Sequence, residues 1–134
     1  TQLEIYRTTY DWLFSAADLL KPGVSTADIA RQWPEAHTLG LESEAAAFAL
    51  ELGHGIGITH WAKPVISRWF SIDHPEILEE GMVFALETYN GSGNDAARIE
   101  EMFVIEKDGA RQLSKFPSKE LISVPTAGNI LPRG

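Results

Sequence analysis

GHGIG at residues 53–57, EEGMVFALETY at 79–89 and RIEEMFVIE at 98–106 are the stretches on which the reading of this chain turns. Residues 82–89 and 98–106 are rich in β-branched, aromatic and other apolar side chains, which predicts two strands. Strand alternation then puts Glu87 on a face with Val83, Ala85 and Tyr89. Glu100 shares a face with Met102 and Val104, whereas Glu101 goes with Ile99, Phe103 and Ile105, so at most one of these two glutamates serves a given site. A carboxylate inside such an apolar run needs a cation, a metal or a proton. Arg98 is the cation at hand, and a salt-bridged Glu87 is the plainer reading. His54 stands between glycines that let the backbone approach a ligand closely, although the same residues also suit a simple turn. One imidazole and two carboxylates are the donor types of a divalent-metal site.

Working outward, Leu3, Tyr6, Tyr10, Leu13, Phe14, Ala17 and Leu20 recur at helical spacing, which predicts an amphipathic helix over 3–20 stopped by Lys21-Pro22-Gly23. Ser25 or Thr26 caps a second helix expected to run to Trp33 before Pro34. Residues 42–51 have high helix propensity, but their apolar run equally suits the approach to a strand. Pro64 confines its segment to an edge strand or a loop. Residues 75–81 predict a brief helical turn, 91–94 a flexible loop, Asp108-Gly109 a tight turn and 110–114 a return strand. The proline-rich end, with Pro117, Pro125 and Pro132, is expected to be a docking segment or tail.

The 134 residues fit one domain with no internal repeat. Apolar content of 44% and charged content of 22% are those of an ordinary globular protein. A net charge of −8 argues against a nucleic-acid partner. No apolar stretch approaches the roughly 20 residues of a membrane helix. The absence of cysteine excludes disulfides and thiolate chemistry and fits a cytoplasmic setting. A helix that begins almost at Thr1 predicts that the natural start lies upstream.

Four blocks in order carry a resemblance: KPGVSTADI at 21–29, GHGIG followed by Pro64, EEGMVFALE, and RIEE. Together they resemble the C-terminal part of the pita-bread metallohydrolases, which include methionine aminopeptidase, aminopeptidase P, prolidase and creatinase. The resemblance spans nearly the whole chain. It implies an α+β fold with helices packed on a curved antiparallel sheet, residues 1–134 being the C-terminal portion of a pita-bread catalytic domain. It also implies that His54 and Glu87 are metal ligands, that Glu100 bridges two divalent ions (manganese, cobalt, zinc or iron), and that two aspartate ligands precede Thr1.

One departure from the family concerns chemistry. The peptidases carry a histidine seven residues after the first, where it stabilises the developing oxyanion. Here that position is Trp61, with His60 one step early and Ala62-Lys63 in place of an acidic stretch. A one-residue bulge would let His60 act in the missing role. Trp61, Trp69 and Phe70 are candidates to line a substrate pocket, with Arg98 as a further substrate contact, while Trp12 and Trp33 are expected to be packing. His37 and His74 have no motif around them and are expected at the surface. The resemblance implies a metal-dependent hydrolase of the Xaa-Pro peptidase type, acting on small peptides as a homodimer, with the isolated chain inactive. The altered HWAKP segment keeps open a non-peptidase relative, either a creatinase-like amidinohydrolase or a dimethylsulfoniopropionate lyase. A metal-free binding module is the third reading.

Overall fold

A computed structural model describes residues 1–48 and 52–124. The first helix, α1 (Gln2–Ala17), starts at a capping box in which Thr1 and Glu4 satisfy each other's backbone donors. It is followed by α2 (Thr26–Ala30), a 3₁₀ turn at Ala36–Leu39 and α3 (Glu44–Ala47). Next come β1 (Leu52–Gly55), β2 (Ala62–Ile66), α4 (Arg68–Ser71), β3 (Val83–Ser92), β4 (Asp95–Glu106) and β5 (Gly109–Gln112). The five strands form one antiparallel sheet in the order β2-β1-β3-β4-β5, so the architecture is α+β. Pro64 lies in β2 at the edge of the sheet, where its missing N–H costs no ladder bond.

The helix α1 lies across β3 and β4 and buries one face of them. Phe84 and Leu86 from β3, with Ile99, Phe103 and Ile105 from β4, meet Leu13 and Ala16 of α1 in a single core that also holds Ile29, Trp33, Ile66 and Leu78. Phe14 meets Phe103 edge-on at 6.1 Å, and the Thr88 hydroxyl donates to the Thr9 carbonyl at 3.0 Å. Each fully buried large side chain contributes roughly 1.5–3 kcal/mol relative to exposure. These contacts fix which face of the sheet is closed. The opposite face carries Val83, Ala85, Glu87, Glu100, Met102 and Val104 in direct register.

Several boundaries differ from the sequence expectations. The first helix ends at Ala17, and the buried Leu20 sits in the following turn. The second stops at Ala30, with Arg31 as its C-cap. Residues 75–81 are not helical: Ile77 bridges Ser25, and the Leu78 and Val24 main chains bond at 2.9 Å, so this segment pairs with the turn after α1. Residues 91–94 are not a loose loop, because Gly91 and Ser92 still pair with Ala96 and Asp95. Gly93, at φ 62, and Asn94 alone close the hairpin, as in a type II′ turn. The second tight turn is Lys107-Asp108, one residue earlier than expected, and its return strand is 109–112. From the 42–51 run, 44–47 are helical, while 49–51 lie outside the described residues, as do 125–134 of the tail. Among the described residues, no helix is long and apolar enough to cross a membrane.

Candidate metal centre

Three neighbouring strands deliver one polar side chain each to the open face of the sheet. Glu87 and Glu100 are directly paired across the β3–β4 hairpin, and His54 enters from β1, opposite Ala85. One nitrogen of His54 and one oxygen from each carboxylate all lie within 4.8 Å of one another. His54 is 5% exposed and Glu87 9%, while Glu100 is exposed. Donors on opposite sides of one ion with bonds of about 2.1 Å stand about 4.2 Å apart. The group is therefore within a rotamer adjustment of closing on a cation, and its nitrogen-and-carboxylate donor set suits manganese, iron, cobalt or zinc.

Hydrogen bonding orients the imidazole for that task. Nδ1 of His54 lies 3.2 Å from the Gly55 carbonyl oxygen, which can only accept, so a proton on Nδ1 satisfies that contact. With Nδ1 turned to that carbonyl, Nε2 is the nitrogen left to meet a cation, and it lies 3.5 Å from Oε1 of Glu87. The other oxygen of Glu87, Oε2, accepts from the Arg98 guanidinium. The salt-bridge partner foreseen from the sequence is thus real, and it leaves the other carboxylate oxygen free to share a cation with Nε2 of His54. Arg98 reaches Glu87 diagonally across the hairpin, from the position paired with Tyr89.

Glu101 points the other way. It is 2% exposed on the α1 side of β4, where it accepts from the Ser114 hydroxyl, whose oxygen in turn accepts from Met102 N–H at 3.0 Å. The Tyr6 hydroxyl donates to the Ser118 carbonyl at 2.7 Å, and burial, helped by the charge of Glu101 and then by Tyr10, raises its pKa.

His60 is exposed on the 56–61 loop, outside the His54–Glu87–Glu100 group. Trp61 is the residue brought to His54: the two rings stack at 5.4 Å with 26° between their planes. The loop that delivers it is held by Gly57 N–H to the Thr59 carbonyl and by the Thr59 hydroxyl to the Trp61 carbonyl. The β1–β2 register jumps from His54↔Val65 to Gly55↔Ala62, so Lys63 and Pro64 have no partner in β1. Trp69 and Phe70 sit on α4, with Trp69 exposed, and Phe48 joins them although nothing in its alanine-rich surroundings signalled a site. Trp33 is buried in the core and Trp12 packs against it, while His37 and His74 are exposed.

Comparison with known proteins identifies the family. The model of metallopeptidase family M24 matches residues 1–107. An uncharacterized peptidase of Methanocaldococcus jannaschii is 30% identical over 118 residues, covering 87% of this chain and 33% of that protein. The prolidase from Pyrococcus furiosus superposes with a TM-score of 0.65 at 26% identity, over 84% of this chain and 32% of that one. The dipeptidase PepE from Mycobacterium ulcerans gives 0.68 at 26%, over 89% and 31%. The X-Pro aminopeptidase from Thermotoga maritima gives 0.67 at 25%, over 86% and 31%. The chain thus spans about a third of the length of these relatives, and its fold is the corresponding part of the pita-bread fold. By the family match and this likeness, the chain belongs to metallopeptidase family M24.

Proposed function

We propose that this chain supplies the C-terminal portion of a metal-dependent hydrolase of the Xaa-Pro peptidase type, with a dinuclear centre completed by two carboxylates from outside residues 1–134. The observation that carries the reading is the convergence of His54, Glu87 and Glu100 on the open face of the sheet. The prolidase and X-Pro aminopeptidase among the superposed structures support the substrate class. A cytoplasmic homodimer belongs to the same proposal.

Divalent ions at these donors would supply hydroxide near neutral pH and polarise a substrate carbonyl. The chain's own residues prepare the place. The Gly55 carbonyl engages Nδ1 and leaves Nε2 toward the donors, Arg98 holds Glu87 by one oxygen so that the other faces His54, and the Trp61 ring covers one side of the imidazole. Glu100, in register with Glu87, would add a second carboxylate to the donor set.

Metal analysis of the complete protein supplied with manganese tests the first part: about two ions per chain are expected, and none would sink the proposal. Hydrolysis of Gly-Pro or Ala-Pro, abolished by Glu87→Ala, tests the second. For residues 1–134 alone we expect weak metal binding and no turnover. Trp61 beside His54, where the peptidases carry histidine, favours a second reading, a non-peptidase relative such as an amidinohydrolase or a lyase. Retained metal with no peptide turnover would select it.

A further inference from the structure

The segment that follows α4 closes around a cavity of about 430 Å³ to which His54, Glu87 and Glu100 do not contribute. Lys63, Phe70, His74, Pro75 and Glu76 line it. The walls thus carry one cation and one anion, and among the described residues these two form no ion pair. The Lys63 ammonium lies 5.9 Å from the centre of the Phe70 ring, and its three donors meet no acceptor among the described residues. Glu76 is held in place by its main chain: its N–H donates to the Thr26 hydroxyl at 3.0 Å, and its carbonyl accepts from Thr26 N–H at 2.9 Å. Its side chain is not satisfied in the same way. Oε1 is closed off from solvent with no hydrogen-bond partner among the described residues.

A solvated glutamate would keep both oxygens in water, whereas a desolvated carboxylate oxygen without a donor is costly. The torsion that carries the two oxygens is soft, so a donor entering the cavity would draw one of them round to it. Charge then narrows the occupant. Lys63 repels a simple cation and Glu76 a simple anion, while a molecule bearing both signs satisfies the two at once. Phe70 and Pro75 add an apolar wall between them. The volume falls in the range of roughly 300–1,000 Å³ typical of small-molecule sites.

We infer that this cavity is a second binding site, separate from the candidate metal centre, for a small zwitterion of the free amino-acid class, its ammonium on Glu76 and its carboxylate on Lys63. The inference needs neither the metal nor peptide turnover. The test is calorimetry on the complete protein with L-leucine, leucinamide, which lacks the carboxylate, and N-acetylleucine, which lacks the ammonium. Leucine is expected to bind, and each analogue to bind at least about 10-fold more weakly, the factor that one charge-assisted hydrogen bond supplies. Glu76→Gln and Lys63→Met, which keeps the stem over Phe70, should each weaken leucine binding by about the same factor with metal content unchanged. Binding should persist in Glu87→Gln, whose donor group is broken. Leucine binding lost in Glu87→Gln but intact in Glu76→Gln and Lys63→Met would assign it to the metal centre, overturning the inference and leaving the proposed function standing. An analogue that binds as tightly as leucine would show that a single charge is read and would overturn the zwitterion. No leucine binding at all would overturn the site.

Discussion

His54 and Glu87 face each other from adjacent strands with Nε2 3.5 Å from Oε1, while the second oxygen of Glu87 is held by Arg98. The carboxylate therefore answers to two neighbours, and substitution separates them. In the complete protein, Glu87→Gln should remove a ligand and abolish metal binding measured by calorimetry with manganese. Arg98→Ala should lower affinity by about 10–100-fold, as losses of groups that orient ligands do. If Arg98→Ala raises affinity instead, the guanidinium competes with the metal for Glu87 and does not position it.

Gly55 sits where the backbone of β2 passes closest. A Cβ there would meet the Lys63 carbonyl oxygen at 2.6 Å and that of Ala62 at 3.1 Å. Gly55→Ala should therefore destabilise the chain by about 1–3 kcal/mol, the usual range for overpacking, in a denaturant titration. It should also weaken metal binding, since the displaced carbonyl of residue 55 orients His54. An unchanged midpoint would show that β2 yields freely.

Burial raises the Tyr6 pKa above its ordinary 10.0, with Glu101 and then Tyr10 adding to the shift. A folded-state pKa above the unfolded one means that this contribution to stability is fully present below about pH 10 and is lost as pH rises through the raised value. Stability should fall on the alkaline side, and Tyr6→Phe should flatten that limb while removing the hydroxyl bond to Ser118 at every pH. Parallel alkaline limbs for the two proteins would refute the assignment.

The indole nitrogen of Trp33 is buried with no hydrogen-bond partner among the described residues. Trp33→Phe trades volume for the removal of an unsatisfied donor and should cost less than about 1.5 kcal/mol. Trp33→Ala leaves the cavity uncompensated and should cost about 3–5 kcal/mol in thermal unfolding. Equal losses would mean that the indole N–H is satisfied in solution.

Alternation alone assigned the faces of β3 and β4, because a residue's side follows from its parity once a strand is recognised. Hence Glu100 and Glu101 separate as the sequence indicates, one to the open face and one beneath α1. What escaped depends on distant partners. Residues 76–78 are extended because they pair with 23–26, some fifty positions earlier, and no local propensity encodes that. Gly93-Asn94 did carry a local signal, the glycine-first hairpin pair, obscured by the neighbouring Gly91 and Ser92. Phe48 reached Trp61 and Trp69 only through tertiary packing.

Glu87 and Glu100 are held at the spacing of one antiparallel rung, about 5 Å between Cα atoms, in a hairpin closed by only two residues. The irregular segment between β1 and β2 carries Trp61 without belonging to that ladder. On the proposed reading, substitutions in residues 56–61 would change what meets the donors while the rung that spaces the two carboxylates stays as it is.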